Sequence, residues 1–378
     1  MFQGLAFNPF TLPPEAEALR SEVRKFLAES LDPASLPNSD FNAGDSSDFS
    51  KALGERGWIG MTWPKQYGGQ DKSFLERYVV TEELLAAGAP VGCHWIADRQ
   101  TGPLLLKFGS EEQRKEFLPK IVNGDCFFSI GMSEPNTGSD LASIRSTAKK
   151  VEGGWLLNGS KIWTSYAHTN HYMVALVRTE PASENRHAGM SQVIVDLKDD
   201  NVSINGIKNL SGEEDFNQVF FDDVFIPDDR VVGQPGNGWA QVISELGYER
   251  SGPERFLSAF RVLVEYSREL TSDASDDQLS VLGRLVAHLI TLRRMSISVA
   301  GMLENGETPI TEAALIKDVG NAYERLVPEV VRLSRTRNPS ARFLETLNQC
   351  VLHAPSFTLR GGTREILKGV IARGLGLR

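Results

Sequence analysis

Gly131-Met132-Ser133-Glu134-Pro135-Asn136-Thr137-Gly138-Ser139-Asp140 is the stretch on which the reading of this chain turns. Glycine, proline, asparagine, serine and aspartate at this density make a loop, each for its own backbone reason. Before it, apolar residues recur at helical spacing. After it come short segments rich in β-branched and aromatic residues. The loop therefore opens a β-rich region inside a helical chain.

Upstream, Leu19, Val23, Phe26 and Leu27 give Pro14 to Leu31 a helical stripe, with proline and glutamate at the start as helix beginnings prefer. The polar stretch Pro37 to Asp48 reads as a loop, and Gly57–Gly60 and Pro64–Gly69 as turns. Leu75 to Ala87 and Glu111 to Val122 read as helices. Downstream, Gly154–Thr164, Tyr172–Arg178, Ser191–Leu197 and Asn217–Ile226 read as strands divided by Gly, Asn and Asp, the pattern of a β-sandwich or barrel. From Gly238 the helical period returns. Leu279, Leu282, Leu285, Val286, Leu289 and Leu292 form an apolar stripe, and Ile310 to Leu333 predicts another helix. The expected class is α+β, mostly α: a helical domain over 1–127, a β domain over 128–233 and a helical bundle over 234–378. The elements do not alternate as βαβ units do, so a doubly wound sheet with a Gly-x-Gly-x-x-Gly turn is not expected.

Composition sets outer limits. The 378 residues are too many for one ordinary core, and 41% apolar content is that of a folded protein. A net charge of −9 argues against a nucleic-acid binder, while leaving room for a local basic pocket. Cys93, Cys126 and Cys350 are odd in number and far apart, which fits incidental thiols in a reducing cytoplasm. His168 and His171 lack the companions of a metal site. The first ten residues show no charged segment followed by an apolar one, and no run approaches the roughly 20 apolar residues that span a bilayer. Neither a membrane nor a metal is expected.

Five segments then resemble, in order, those of the acyl-CoA dehydrogenases. The opening stretch is similar to that family's Thr-Glu-Pro-x-x-Gly-Ser-Asp signature. Leu157-Asn158-Gly159-Ser160-Lys161-Ile162-Trp163-Thr164-Ser165 is a second match. Upstream lie Gly57-Trp58, Trp63-Pro64, Tyr67-Gly68-Gly69 and Glu82-Glu83-Leu84, then Phe108-Gly109-Ser110-Glu111-Glu112-Gln113 with Phe117-Leu118-Pro119. Phe221-Asp222-Asp223-Val224-Phe225-Ile226-Pro227 closes the β segment. The resemblance implies FAD as cofactor, lying between domains, an acyl-CoA thioester as substrate, oxidation at its α,β carbons, and a four-helix bundle in the C-terminal domain.

It also implies roles. Ser133 and the backbone around Met132 would meet the pyrimidine edge of the flavin. Trp163 would shield one face of the ring, with Thr164 beside it and Ser165 donating near N5 and O4. Gly138 and Ser139 would approach the pyrophosphate. Thr363 and Glu365 would lie towards the adenine end. Taken singly, such loop residues are usually turn chemistry and a strand tryptophan is usually core. The ordered context reverses that.

The chemistry needs a base for the α-proton and donors for the enolate oxygen. Many relatives carry a Glu directly before a Gly-Thr pair near the C-terminus. Here Leu359-Arg360-Gly361-Gly362-Thr363 puts Gly361, without a side chain, at that place. A minority place the Glu on an earlier helix just before an Arg, and Tyr248-Glu249-Arg250-Ser251-Gly252 matches them. The resemblance thus makes Glu249 the base, Arg250 a substrate contact and the Gly361 N–H an enolate donor. Read alone, Glu249 is equally an ion-pair partner for Arg250 or Arg255.

Two segments by which the family completes a neighbour's FAD site are missing. Ser267 to Asp277 holds no Arg-x-x-Phe-Gly, and Asn348 to Ala354 no Gln-x-x-Gly-Gly. Two assemblies stay open: a homo-oligomer, or an α2β2 heterotetramer with a second dehydrogenase-like subunit, as in bacterial steroid side-chain breakdown. Electrons would pass to an electron-transfer flavoprotein or a similar acceptor. A non-catalytic half-site subunit and a flavin oxidase or monooxygenase are the rival readings.

Overall fold

The computed structural model describes residues 5–40, 44–181 and 183–377, and of 245–249 the backbone alone. The helices are α1 (Pro14–Ser30), α2 (Ser47–Glu55), α3 (Phe74–Ala87), α4 (Gly92–Ile96), α5 (Gly102–Phe108) and α6 (Glu111–Val122). Seven strands follow: β1 (Phe128–Gly131), β2 (Thr147–Val151), β3 (Gly154–Ser165), β4 (Tyr172–Arg178), β5 (Met190–Asp196), β6 (Val202–Ile207) and β7 (Phe216–Pro227). The chain closes with α7 (Gly238–Glu249), α8 (Phe260–Glu269), α9 (Asp276–Glu304), α10 (Ile310–Leu333), α11 (Ala341–His353) and α12 (Arg364–Gly374). The mostly helical α+β class expected from the sequence holds.

Two compact units arise. The first joins Met1–Gly44, Lys72–Pro90 and Glu249–Arg378, so it carries α1, α3 and α8 to α12. The second joins Asp45–Asp71 and Val91–Tyr248, with the whole sheet and α7 up to its last residue. Local signals explain the helix starts. Ser73 and Glu76 form a reciprocal capping box on α3, as do Ser110 and Gln113 on α6, and Ser275 and Gln278 on α9. In the first unit α3 lies between α1 and α9. Leu75, Tyr78, Ile297 and Ala300 form part of that core.

The strands form one seven-stranded sheet in the order β1-β4-β2-β3-β7-β6, with β5 on β4. Pairing is antiparallel except for β1 on β4 and the one-residue contact of β2 with β4. Leu157, Met173, Ala175, Val193, Val195, Val219 and Val224 build the inner face. A second, smaller cluster of Ile144, Leu176, Met190 and Val242 seats α7 against the sheet, with Met132 and Trp239 packed on it.

Three strands and, before the sheet, three helices exceed the expectation. β1, β2 and β6 are short, and β2 carries the exposed pair Lys149 and Lys150, so alternation is thin there. α2, α4 and α5 hold Gly, Pro and polar residues that mask a helical period. The predicted stripe on α9 also divides: Leu285 and Leu292 are buried, whereas Leu279 and Val286 are exposed. Residues 285 and 286 face different sides because one step along a helix turns the side chain by about 100°.

Candidate functional site

β1 delivers the chain to Ser133, and β3 runs beside it. The Ile162 N–H donates to the Ser133 carbonyl at 2.9 Å. Glu134 and Thr137 exchange both backbone hydrogen bonds, at 2.8 and 2.9 Å, closing a four-residue turn over Pro135 and Asn136. Pro-Asn at the centre of such a turn is favoured because proline presets its φ and asparagine tolerates the bend.

Beneath this turn lies a charge pair with no counterpart in the sequence-based expectations. Lys161 is fully buried and Glu134 nearly so. The Lys161 Nζ donates to Glu134 Oε1 at 2.8 Å and to the Met132 carbonyl at 3.2 Å. Glu134 also accepts from the Arg145 N–H at 2.6 Å and the Ser146 N–H at 2.9 Å. Burial works to raise the Glu134 carboxyl, but the Lys161 charge and these donors outweigh it and hold it below the usual range. Burial pushes the Lys161 ammonium down to about 8, against the pull of Glu134, so the pair is ionised at neutral pH. Gly131 makes room for it: a Cβ there would press on Met173 and on the Lys161 stem.

Trp163 sits on a β-bulge. Lys161 pairs with Val219 and Thr164 with Asn217, so Ile162 and Trp163 face the single residue Gln218. Trp163 has φ of 61°, a region costly for any residue with a Cβ, and its indole is 57% exposed. It touches Phe216 edge-on at 6.2 Å. A strained backbone that holds a large ring out in water is a mark of function more than of stability.

The other sequence-predicted residues fall as follows. Met132 sends its side chain into the α7 cluster, leaving its backbone at the loop. Neither the N–H nor the hydroxyl of Ser133 has a partner among the described residues. Gly138 and Ser139 are exposed, and a Cβ at Gly138 would meet nothing within 4 Å. Thr164 is fully buried, with its Oγ1 unpaired, so it lines the strand's inner side and not the open face. The Ser165 carbonyl accepts from Ser129 at 2.7 Å. An exposed indole, free donors at Ser133 and an open backbone at Gly138 suit a flat ring with a polar edge and a linked pyrophosphate; that much of the donor set fits a flavin.

The other predicted residues belong to the first unit. Arg250 is buried, and its Nε donates to the Gly361 carbonyl at 3.3 Å. Gly361 and Gly362 both have positive φ, 64° and 99°, a turn that suits glycine. The Gly362 carbonyl accepts from the fully buried Lys317 at 2.9 Å. Arg360, the residue before the turn, is anchored on Asp40, Glu324 and Ser258. Thr363 is the N-cap of α12, and Glu365 lies in its exposed first turn. The Glu365 carboxyl is held below the usual range by its own backbone N–H and by Thr363. The backbone of α7 ends at Glu249, whose side chain lies outside the described residues.

Among the described residues no group of three or more His, Cys, Asp and Glu could hold a metal. His168 instead meets Asn217 at 2.9 Å, and His171 accepts from the Phe127 N–H at 3.1 Å. No described helix is long and apolar enough to cross a membrane.

Known proteins match this chain over nearly its whole length. Residues 13–125 match the family described as acyl-CoA dehydrogenase, N-terminal domain, and residues 129–224 the middle domain of the same family. The chain is 32% identical to the acyl-CoA dehydrogenase IpdE1 of Mycolicibacterium smegmatis, over 96% of this chain and 98% of that protein. Its fold superposes on the Tcur3481-Tcur3483 steroid ACAD with a TM-score of 0.84 at 29% identity, over 99% of each chain. It superposes on the ChsE4-ChsE5 complex from Mycobacterium tuberculosis with a TM-score of 0.84 at 28% identity, over 98% and 99% of the two chains.

Proposed function

This chain belongs to the acyl-CoA dehydrogenase family, and from that premise we propose that Glu249 serves as the base that removes the α-proton of a bound acyl-CoA. The enzyme is an oxidoreductase and its cofactor is FAD. When bound, FAD supplies a hydride acceptor for the Cβ hydrogen. The product is the trans-2-enoyl-CoA, and the electrons leave to an electron-transfer flavoprotein or a similar acceptor.

One observation carries the assignment of the base. Arg250, the neighbour of Glu249, donates to the carbonyl of Gly361. The end of α7 and the turn without a carboxylate therefore meet, although 111 residues separate them in the chain. The turn at Gly361 has no carboxylate to offer, and the residue directly before Arg250 is a glutamate. Arg250 spends its Nε on Gly361, so its part is first to join these two segments. The Gly361 N–H is the enolate donor in this reading. Met132, Ser133, Trp163 and Ser165 hold the ring; Gly138, Ser139, Thr363 and Glu365 serve the rest of the FAD, with Thr164 supporting the strand from inside.

The test is anaerobic mixing of the flavoprotein with a panel of acyl-CoAs while the flavin band is followed. Wild type bleaches; Glu249→Gln slows bleaching by at least a hundredfold, the scale of a lost general base. Equal rates in the two would remove Glu249 from the reaction. Rapid reoxidation by oxygen with peroxide release would favour an oxidase instead.

A second reading concerns assembly. The segment between α8 and α9 is a short capped loop without the Arg-x-x-Phe-Gly residues. We infer that a second dehydrogenase-like subunit completes the FAD site in an α2β2 complex, on an acyl-CoA from steroid or fatty-acid degradation. The two solved relatives named above are themselves described by pairs of subunits. One FAD per chain in protein purified alone would favour the homo-oligomer.

A further inference from the structure

Lys161 has no part in the chemistry proposed above, yet the fold buries it completely. An ammonium taken from water costs several kcal/mol, and a buried ion pair is often no more stabilising than an apolar pair of equal volume. Stability alone therefore does not account for it. Its contacts suggest what does. Among the described residues Lys161 Nζ has two partners, Glu134 Oε1 and the Met132 carbonyl. Glu134 is fixed in turn by the Arg145 and Ser146 N–H groups. The ammonium is thus held in place and has a donor left for one loop carbonyl.

That carbonyl belongs to the Met132–Ser133 peptide. In a planar trans peptide the N–H points opposite to the C=O. With its oxygen drawn onto Lys161, the peptide turns the Ser133 N–H away from the buried charge. The next carbonyl, on Ser133, is taken by the Ile162 N–H at 2.9 Å, one residue before Trp163. Two carbonyls are held inward, and the intervening N–H keeps no acceptor among the described residues. A cation on the carbonyl also polarises the peptide and strengthens its N–H as a donor.

We propose that Lys161, held by Glu134, is a positioning residue that presents the Ser133 N–H as a polarised donor to the flavin ring and thereby favours the reduced ring over the oxidised one. This rests on the reading that the ring lies on residues 132 to 165. Reduction adds negative charge to the ring, and a fixed donor stabilises the charge where it develops.

The experiment uses the flavin-loaded protein, with its partner subunit if the chain alone takes up less than one FAD. FAD affinity, the visible spectrum and the two-electron midpoint potential are measured for wild type, Lys161→Met, Glu134→Gln, Trp163→Ala and the double variant Lys161→Met with Glu134→Leu. Lys161→Met is expected to weaken FAD binding at least tenfold and shift the visible bands. It should also lower the affinity for reduced over oxidised flavin about tenfold, which is about 30 mV for a two-electron couple. Glu134→Gln, which keeps Lys161 on the carbonyl, should fall between. If the single variants do not fold, the double variant, with no unpaired buried charge, is expected to fold and to show the same drop in potential. A double variant that folds and matches wild type in affinity, spectrum and potential overturns the inference. Trp163→Ala separates two failures. If it also leaves the flavin unchanged, the ring is not on this loop and the proposed site falls. If it perturbs the flavin while the Lys161 variants do not, only the present inference falls.

Discussion

Trp163 shows how a single residue can serve the site at the expense of its own backbone. Its positive φ costs roughly 1–2 kcal/mol for a residue with a Cβ. Trp163→Gly would relieve that and lose little packing, because the indole is mostly in water. The urea midpoint should stay level or rise while FAD affinity drops. A loss of about 3–5 kcal/mol, as for truncating a core aromatic, would instead make the ring structural. His94 gives a pH prediction at the same scale. It is buried against the Ser50 hydroxyl at 2.8 Å, and burial pushes its ring from 6.5 down to about 4. Between these values the unfolded chain binds a proton that the folded chain refuses, so stability falls as the pH drops from 6.5 to 4. The site's share is about 3 kcal/mol at most. Denaturation of wild type and His94→Gln at pH 7 and pH 4.5 checks it: the variant should lose less stability on acidification, and parallel losses would exclude the histidine.

Helix glycines behave differently according to what their element packs against. Gly283 on α9 faces open space, and a Cβ there meets nothing within 4 Å. Gly283→Ala should gain up to about 1 kcal/mol from helix propensity alone. Gly320 on α10 lies under the Arg255 carbonyl, where a Cβ would come within 3.0 Å of backbone. Gly320→Ala should therefore lose roughly 1–3 kcal/mol despite the same propensity gain. Chemical denaturation of the two variants should move in opposite directions; a stabilised Gly320→Ala would show that α10 is not pressed onto the 253–255 turn.

For the whole molecule, α9 bears on assembly. Leu279, Val286 and Ile290 are exposed on one side while Leu285 and Leu292 are buried on the other. A helix apolar on both sides is normally covered on both. In the homo-oligomer or the α2β2 complex proposed above, that outer side is a natural subunit contact. Val286→Asp with Ile290→Asp should then yield a smaller species by light scattering, with the thermal midpoint of the isolated fold nearly unchanged. An unaltered mass would place the contact elsewhere.

Much of this was legible in the sequence. Helical and alternating periods are written within a dozen residues, so α1, α3, α6, α10 and the four longer strands lie within a residue or two of where those periods put them. The loop at 131–140 and the strand around 157–165 are legible for the same reason, since turn chemistry and β-branched runs act locally, whereas the bulge at Trp163 is not. What only the tertiary structure decided is which charges lose their water and whom they then meet. Lys161 reads in sequence as one more strand lysine. For Arg250 the sequence offers only neighbouring carboxylates, and the fold brings the backbone of Gly361 to its Nε. Lys317 on Gly362 carries no sequence signal at all. Burial and pairing are set by segments that packing brings together from far along the chain, and a charge in a desolvated interior must find its partner there, whatever its sequence neighbours suggest.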